Sequence, residues 1–149
     1  MLESCRSDHD VVHMYRRRYA LPARIISERP ALLTSDLLGA VTMPAPVGAK
    51  VLAAVPMPIP VLGDPRESRW TFLVRPNCPV PSCLAEVLAD REVTVADRGR
   101  VVMLPRSDRG WGARWVSQPD GVVNALPGLA RILREAYTNS LPVPEPTGG

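Results

Sequence analysis

His9 and His13 are the only histidines in the chain, four residues apart in the run His-Asp-Val-Val-His. On a helix that spacing puts both imidazoles on one face, as in zinc hydrolases that carry a glutamate between two such ligands. Here Asp10 takes the place of the glutamate, and a third ligand would have to come from a carboxylate or thiol elsewhere. The competing reading needs no metal: Ser7 caps the helix, Asp10 completes a capping-box-like pair, and the histidines face solvent. The balance falls on this second reading. No cofactor is therefore expected, and His9, Asp10 and His13 are the only metal candidates.

A second group of polar residues crowds one glycine-containing turn: Arg106, Ser107, Arg109 and Arg114, with Trp111 and Trp115 beside them. Guanidinium forks, a hydroxyl and turn amides are suited to phosphate, and Trp111, set between two glycines, is placed to stack on a base. The alternative is a surface hairpin with solvated arginines and with Trp70 and Trp115 in the core. Arg16, Arg17 and Arg18, between Tyr15 and Tyr19, fan over about 200° of a helix, which fits a solvated basic face better than a phosphate track. The Gly148-Gly149 end is similar to the diglycine of ubiquitin-like carriers, but a loose tail explains it better. Nucleophile elbows, phosphate-cradling glycine loops and dinucleotide fingerprints do not occur.

Composition narrows the classes further. The 149 residues make one domain of ordinary size, 46% hydrophobic and 22% charged, with no apolar run approaching the roughly 20 residues of a membrane span. A polar, acidic start in place of a secretory signal leads to the expectation of a cytoplasmic protein with no membrane contact. Cys5, Cys78 and Cys83 are odd in number, and the spacing of the last two fits neither a zinc knuckle nor a redox pair, so reduced thiols are expected. The net charge of +3 is carried almost wholly by arginine, Lys50 being the only lysine. With 17 prolines, this skew points to a GC-rich genome, and the charge permits nucleic-acid binding without requiring it.

These residues must be positioned by a limited set of elements. Residues 7–21 predict a helix with Val12, Tyr15 and Tyr19 on one face, ended by Pro22. "RIIS" reads as a short strand and "SERPALLTSD" as a polar connection. A strand over 38–44 leads into a helix over 45–55, with Pro46 in its first turn. The proline-rich run 56–65 predicts an extended connection ending in a short edge strand near Val61 and Leu62. Residues 69–76 alternate as a strand, Trp70, Phe72 and Val74 facing one way and Thr71, Leu73 and Arg75 the other. A helix over 80–90 capped by Ser82, a hairpin over 92–105 turning at Asp97-Arg98-Gly99, a strand "ARWVS" and a helix over 125–137 complete the order. The fold class expected is α+β: two layers, a mainly antiparallel mixed sheet covered by helices. It forms one domain over 1–137, with a helix in 1–22 and a flexible tail over 138–149.

Across 38–137 the sequence resembles the N-terminal domain of bifunctional primase/polymerases, an archaeo-eukaryotic primase-like module frequent in actinobacteria. The resemblance runs through Gly99 with "RVVML", the turn Pro105-Arg106-Ser107, Gly110 or Gly112, Arg114-Trp115 and the helix "LPGLARILREAY". It implies a primase/polymerase-like scaffold. Such enzymes carry an Asp-x-Asp pair on one strand and a histidine on its neighbour; here those strands read "GAVTMP" and "SRWTFL". Phosphoryl transfer needs carboxylates to hold a divalent ion, so the resemblance implies a shortened relative without catalysis.

The expected function is that of a non-catalytic, regulatory or accessory protein binding a nucleotide or nucleic acid through Arg106, Ser107, Arg109, Trp111 and Arg114, with no catalytic residue. Two other classes stay open. One is a protein-interaction or small-ligand domain that docks a protein partner on the 56–65 segment. The other is an enzyme of unrecognised chemistry using Asp36, Asp64, Glu67 or His13.

Overall fold

A computed structural model describes residues 5–66, 68–106, 113–119 and 126–140. Helix α1 (Asp8–Tyr19) leads into strands β1 (Arg24–Ile26) and β2 (Arg29–Leu33), and β3 (Gly39–Pro44) passes directly into α2 (Ala45–Ala54). There follow β4 (Val61–Gly63), β5 (Arg69–Val74), α3 (Ser82–Asp90), β6 (Thr94–Val95), β7 (Val101–Met103), β8 (Arg114–Ser117) and α4 (Leu129–Asn139). The fold is α+β, with two antiparallel sheets: three strands in the order β1-β2-β7 and five in the order β6-β3-β5-β4-β8. The single mixed sheet expected from sequence is thus two sheets, and parallel pairing among the described residues is confined to an isolated bridge between Arg75 and Gly128.

The division arises at the segment expected to be a hairpin over 92–105. β6 pairs with β3 (Val41 opposite Val95), whereas β7 pairs with β2 (Leu32 opposite Val102), so the two runs join different sheets. Buried Thr34 holds the corner between them. Its hydroxyl donates to the Asp97 carbonyl and accepts from the Arg100 N–H, while its own N–H and carbonyl bond to Arg100 and Gly99. With these backbone groups committed to Thr34, the flanking runs diverge instead of pairing. Gly99 makes the turn at φ 78°, a conformation that a side chain would strain.

The polar connection expected at 27–36 contains β2. Ser27 and Glu28 both have positive φ (52° and 65°) between the paired strands β1 and β2, the geometry of a two-residue hairpin turn. Asn-Gly usually announces such a turn, and Ser-Glu conceals it. β4 lies between β5 and β8 and is not an edge strand, because the neighbouring prolines fall outside Val61–Gly63 and leave its ladder donors intact. Ser7 caps α1 as expected, accepting from the Asp10 N–H at 3.2 Å, and Asp10 accepts from the Arg6 N–H at 3.1 Å. Ser82, by contrast, is the first residue of α3 and Pro81 occupies the cap position, with no side-chain cap. Thr138 and Asn139, expected in the tail, belong to α4; residues 141–149 lie outside the described ones.

Two apolar clusters hold these layers together. Val41, Met43, Val61, Phe72 and Val74 point from the five-stranded sheet toward Val51, Leu88, Leu129, Ile132 and Leu133 of the three helices α2 to α4. On the opposite face Leu62 and Leu73 meet Val11 and Tyr15 of α1 and Leu32 of the smaller sheet. Burying each such side chain stabilises the fold by about 1.5–3 kcal/mol before the entropy of ordering is counted. Gly48 lets α2 lie close on the sheet: a Cβ there would fall 2.8 Å from Trp70 Cε3. Among the described residues no helix is long and apolar enough to cross a membrane.

Candidate functional site

Strand alternation makes the site. Along β3, Val41 and Met43 turn toward the helices, so Ala40 and Thr42 turn the opposite way; on β5, Thr71 sits directly across from Thr42. The Thr42 and Thr71 hydroxyls are 3.1 Å apart, a cross-strand hydrogen bond. α1 and the smaller sheet cover this face only where Leu62 and Leu73 rise from it. Where the side chains are Ala40, Thr42 and Thr71, a cleft of about 570 Å³ opens between the two sheets. Ligand clefts commonly measure about 300–1,000 Å³.

The walls carry the charge. Arg29 from β2 and Arg100 with Val101, Val102 and Met103 form one side, Thr94 to Asp97 a second, and Asp64 with Pro65 a third. Asp64 is engaged by its own loop: Oδ1 accepts from the Ser68 and Arg69 N–H groups at 2.7 and 3.2 Å, and Oδ2 accepts from the Ser68 hydroxyl at 2.8 Å. Desolvation works to raise its pKa, but the hydrogen bonds from Ser68 and Arg69 and the charge of Arg66 together outweigh it and hold the carboxyl below its ordinary value. Asp64 is thereby a loop-forming acid at the rim.

The turn expected to bind phosphate adjoins this cleft at its far end. Ala113 lines the cleft, and the Arg114 side chain packs beside Gly63, 3.5 Å from where a Cβ would stand. At the near end Arg106 is exposed, with Nη1 3.6 Å from Asp8 Oδ2 in the first turn of α1. Both ends are fixed by Tyr15, whose fully buried hydroxyl donates to the Pro105 carbonyl at 2.6 Å and accepts from Trp115 Nε1 at 2.9 Å. Ser107, Arg109 and Trp111 lie outside the described residues, as does Glu67. Trp70 and Trp115 are half-buried, packed against the first and second clusters respectively.

The histidine motif is not drawn into this site. His9, Asp10 and His13 are exposed on α1, with Asp10 committed to the cap, and among the described residues no three or more His, Cys, Asp or Glu side chains gather as metal ligands. No disulfide joins Cys5, Cys78 and Cys83. Asp36 forms an exposed ion pair with Arg98 away from the cleft floor. The 56–65 segment is half core, with Ile59, Pro60, Val61 and Leu62 buried, which leaves Pro56, Pro58 and Pro65 as its exposed prolines. No local motif marks Arg29, Arg100, Thr42 and Thr71 as cleft residues; the shared outward phase of Thr42 and Thr71 on adjacent strands is the signal the sequence carries for them. Set against known protein families, curated proteins and solved structures, the chain matches none.

Proposed function

We propose that the cleft between the two sheets binds a nucleotide or a short single strand of nucleic acid and holds it without chemistry, as an accessory or regulatory protein would. The observation that carries this reading is the placement of Arg29 and Arg100 on a wall above the Thr42–Thr71 hydroxyls, within a space of nucleotide size. Guanidinium groups match phosphate oxygens in fixed forks, and threonine hydroxyls both donate and accept, as a sugar hydroxyl or base edge requires. Val101 to Met103 add an apolar wall for a base. Arg106, exposed and 3.6 Å from Asp8, and Arg114, half-buried beside Gly63, flank the segment that follows β7.

The resemblance to primase/polymerase modules supports the same reading from the side of what is missing. In "GAVTMP", the strand that corresponds to their paired acids, Ala40 and Thr42 stand two residues apart and face the cleft. Small uncharged side chains there give a ligand room and give a divalent ion nothing to hold. Titrating the full chain with a nucleoside triphosphate and with a labelled oligothymidylate tests the proposal. The Arg29→Ala, Arg100→Ala double variant should lose at least about tenfold in affinity, and its salt dependence on the oligonucleotide should flatten by about 1.4 in log–log slope. Absence of binding by the parent to both probes, or equal affinity in the variant, overturns the reading.

A further inference from the structure

Strand register extends the Thr42–Thr71 pair by one more hydroxyl. Thr94 on β6 stands opposite Thr42, and Thr42 stands opposite Thr71, so three threonines form a single row across three adjacent strands. All three line the cleft. Neighbouring strands lie about 4.8 Å apart, which makes the row about 10 Å long. The next row toward Gly39 is Ala96, Ala40 and Leu73, and its two alanines leave a low shelf beside the hydroxyls. β6 is the outer strand of the sheet, so Thr94 is the exposed end of the row.

We propose that this threonine row reads the ribose 2′-hydroxyl and makes the cleft prefer a ribonucleotide or RNA to its deoxy counterpart, a preference that rests on the nucleotide reading above. Arg29 and Arg100 are suited to phosphate and the Val101–Met103 wall to a base, which leaves the floor for the sugar. One threonine proton is consumed in the Thr42–Thr71 hydrogen bond at 3.1 Å, and the Thr94 hydroxyl has no partner among the described residues. Each hydroxyl carries one proton and two lone pairs, so the row is richer in acceptors than in donors. A phosphate or ring oxygen only accepts and cannot satisfy it. A sugar hydroxyl supplies a proton and takes one in return. A 2′-deoxy sugar sets a methylene over the same floor and strands the hydroxyls that it covers, which is how a site built for a hydroxyl rejects the analogue lacking it. The 2′-hydroxyl is also the group by which RNA is told from DNA at a given site.

Two ligand pairs that differ in sugar alone test this on the full chain: adenosine triphosphate against 2′-deoxyadenosine triphosphate, and oligouridylate against oligodeoxyuridylate of equal length. The ribose member of at least one pair should bind about tenfold more tightly, the net worth of one good hydrogen bond. A preference in the first pair alone assigns the floor to a free nucleotide, and in the second alone to a strand. Thr94→Val, which keeps the branched shape favoured in a strand, should bring the ribose-to-deoxyribose ratio down toward one, and Thr94→Ser, which keeps the hydroxyl, should retain it. Thr42→Val gives the same readout from the middle of the row. Equal affinity within both pairs sinks the sugar preference and leaves the nucleotide reading standing, as does a preference that survives both valine variants. Binding of none of the four probes removes the nucleotide reading itself, and the preference with it.

Discussion

The two faces of the five-stranded sheet are made by the same strands one residue out of phase, yet they are built of different material. Val41, Met43, Val61, Phe72 and Val74 face three helices and are almost wholly withdrawn from solvent. Ala40, Thr42 and Thr71 face the other way, and beyond Leu62 and Leu73 nothing large fills the space above them. Stability is concentrated on the helix face, which leaves half of the second face as an open cleft on a rigid floor. The hydroxyl pair on that floor is fixed by β3–β5 pairing over six consecutive residues, and a floor so held can position a ligand without itself moving.

The sharpest way to break this contrast uses two adjacent residues. Phe72→Ala, on the filled face, should lower the stability measured by urea unfolding by about 3–5 kcal/mol, through lost transfer energy and the cavity left behind. Thr71→Val, its neighbour on the cleft face, should cost about 1 kcal/mol, from the lost hydroxyl pair, while weakening ligand binding several-fold. Comparable losses of stability in the two variants would show that the cleft face contributes as much to the core as the helix face does.

Tyr15 tests the boundary between the two regions. Tyr15→Phe keeps the packing but leaves the Pro105 carbonyl and the Trp115 indole N–H without their shared hydroxyl. Each buried group so stranded costs about 1–3 kcal/mol, and a total loss of about 2 kcal/mol is expected because water partly reaches the half-buried Trp115. If the clamp also sets where Arg106 and Arg114 stand, nucleotide affinity should fall along with the unfolding midpoint. A fall in stability with affinity unchanged confines Tyr15 to the core.

What the sequence disclosed and what it hid divide along local and non-local lines. The Ser7 cap, the β3-to-α2 passage, the alternation of 69–74 and the amphipathic α4 are written in short-range patterns of apolar spacing and cap chemistry, and they were legible. The run 92–105 has the local pattern of a hairpin but splits between two sheets, because its partners are Leu32 and Val41, distant in the chain, and because Thr34, 63 residues before Asp97, fixes the corner. Arg29 was invisible as a cleft residue for a related reason: a Ser-Glu turn without glycine disguised β2 as a connection. Arg106 and Arg114 were legible as a basic cluster, but only the three-dimensional arrangement shows that Ala113 and Arg114 adjoin a cavity whose other arginines come from β2 and from the residue before β7.

The smallest effect expected lies at the rim and is visible only in pH. Asp64 is held below its ordinary pKa by hydrogen bonds that exist in the folded loop and not in the unfolded chain. A carboxyl depressed by folding contributes stability that is fully present above its unfolded pKa and is lost as pH falls through the folded value, so the loss belongs to the region below about pH 4. Asp64→Asn keeps an acceptor for the Ser68 and Arg69 N–H groups but removes the titration. Acid unfolding curves of parent and variant should therefore differ in slope only below about pH 4 and run parallel above it. Because Asp64 lines one wall of a cleft proposed to take phosphate, removing its negative charge should leave neutral-pH ligand affinity unchanged or slightly raised. A large loss of binding in Asp64→Asn would move this carboxylate from the rim of the cleft into direct contact with the ligand, and would favour the enzymatic reading over the binding one.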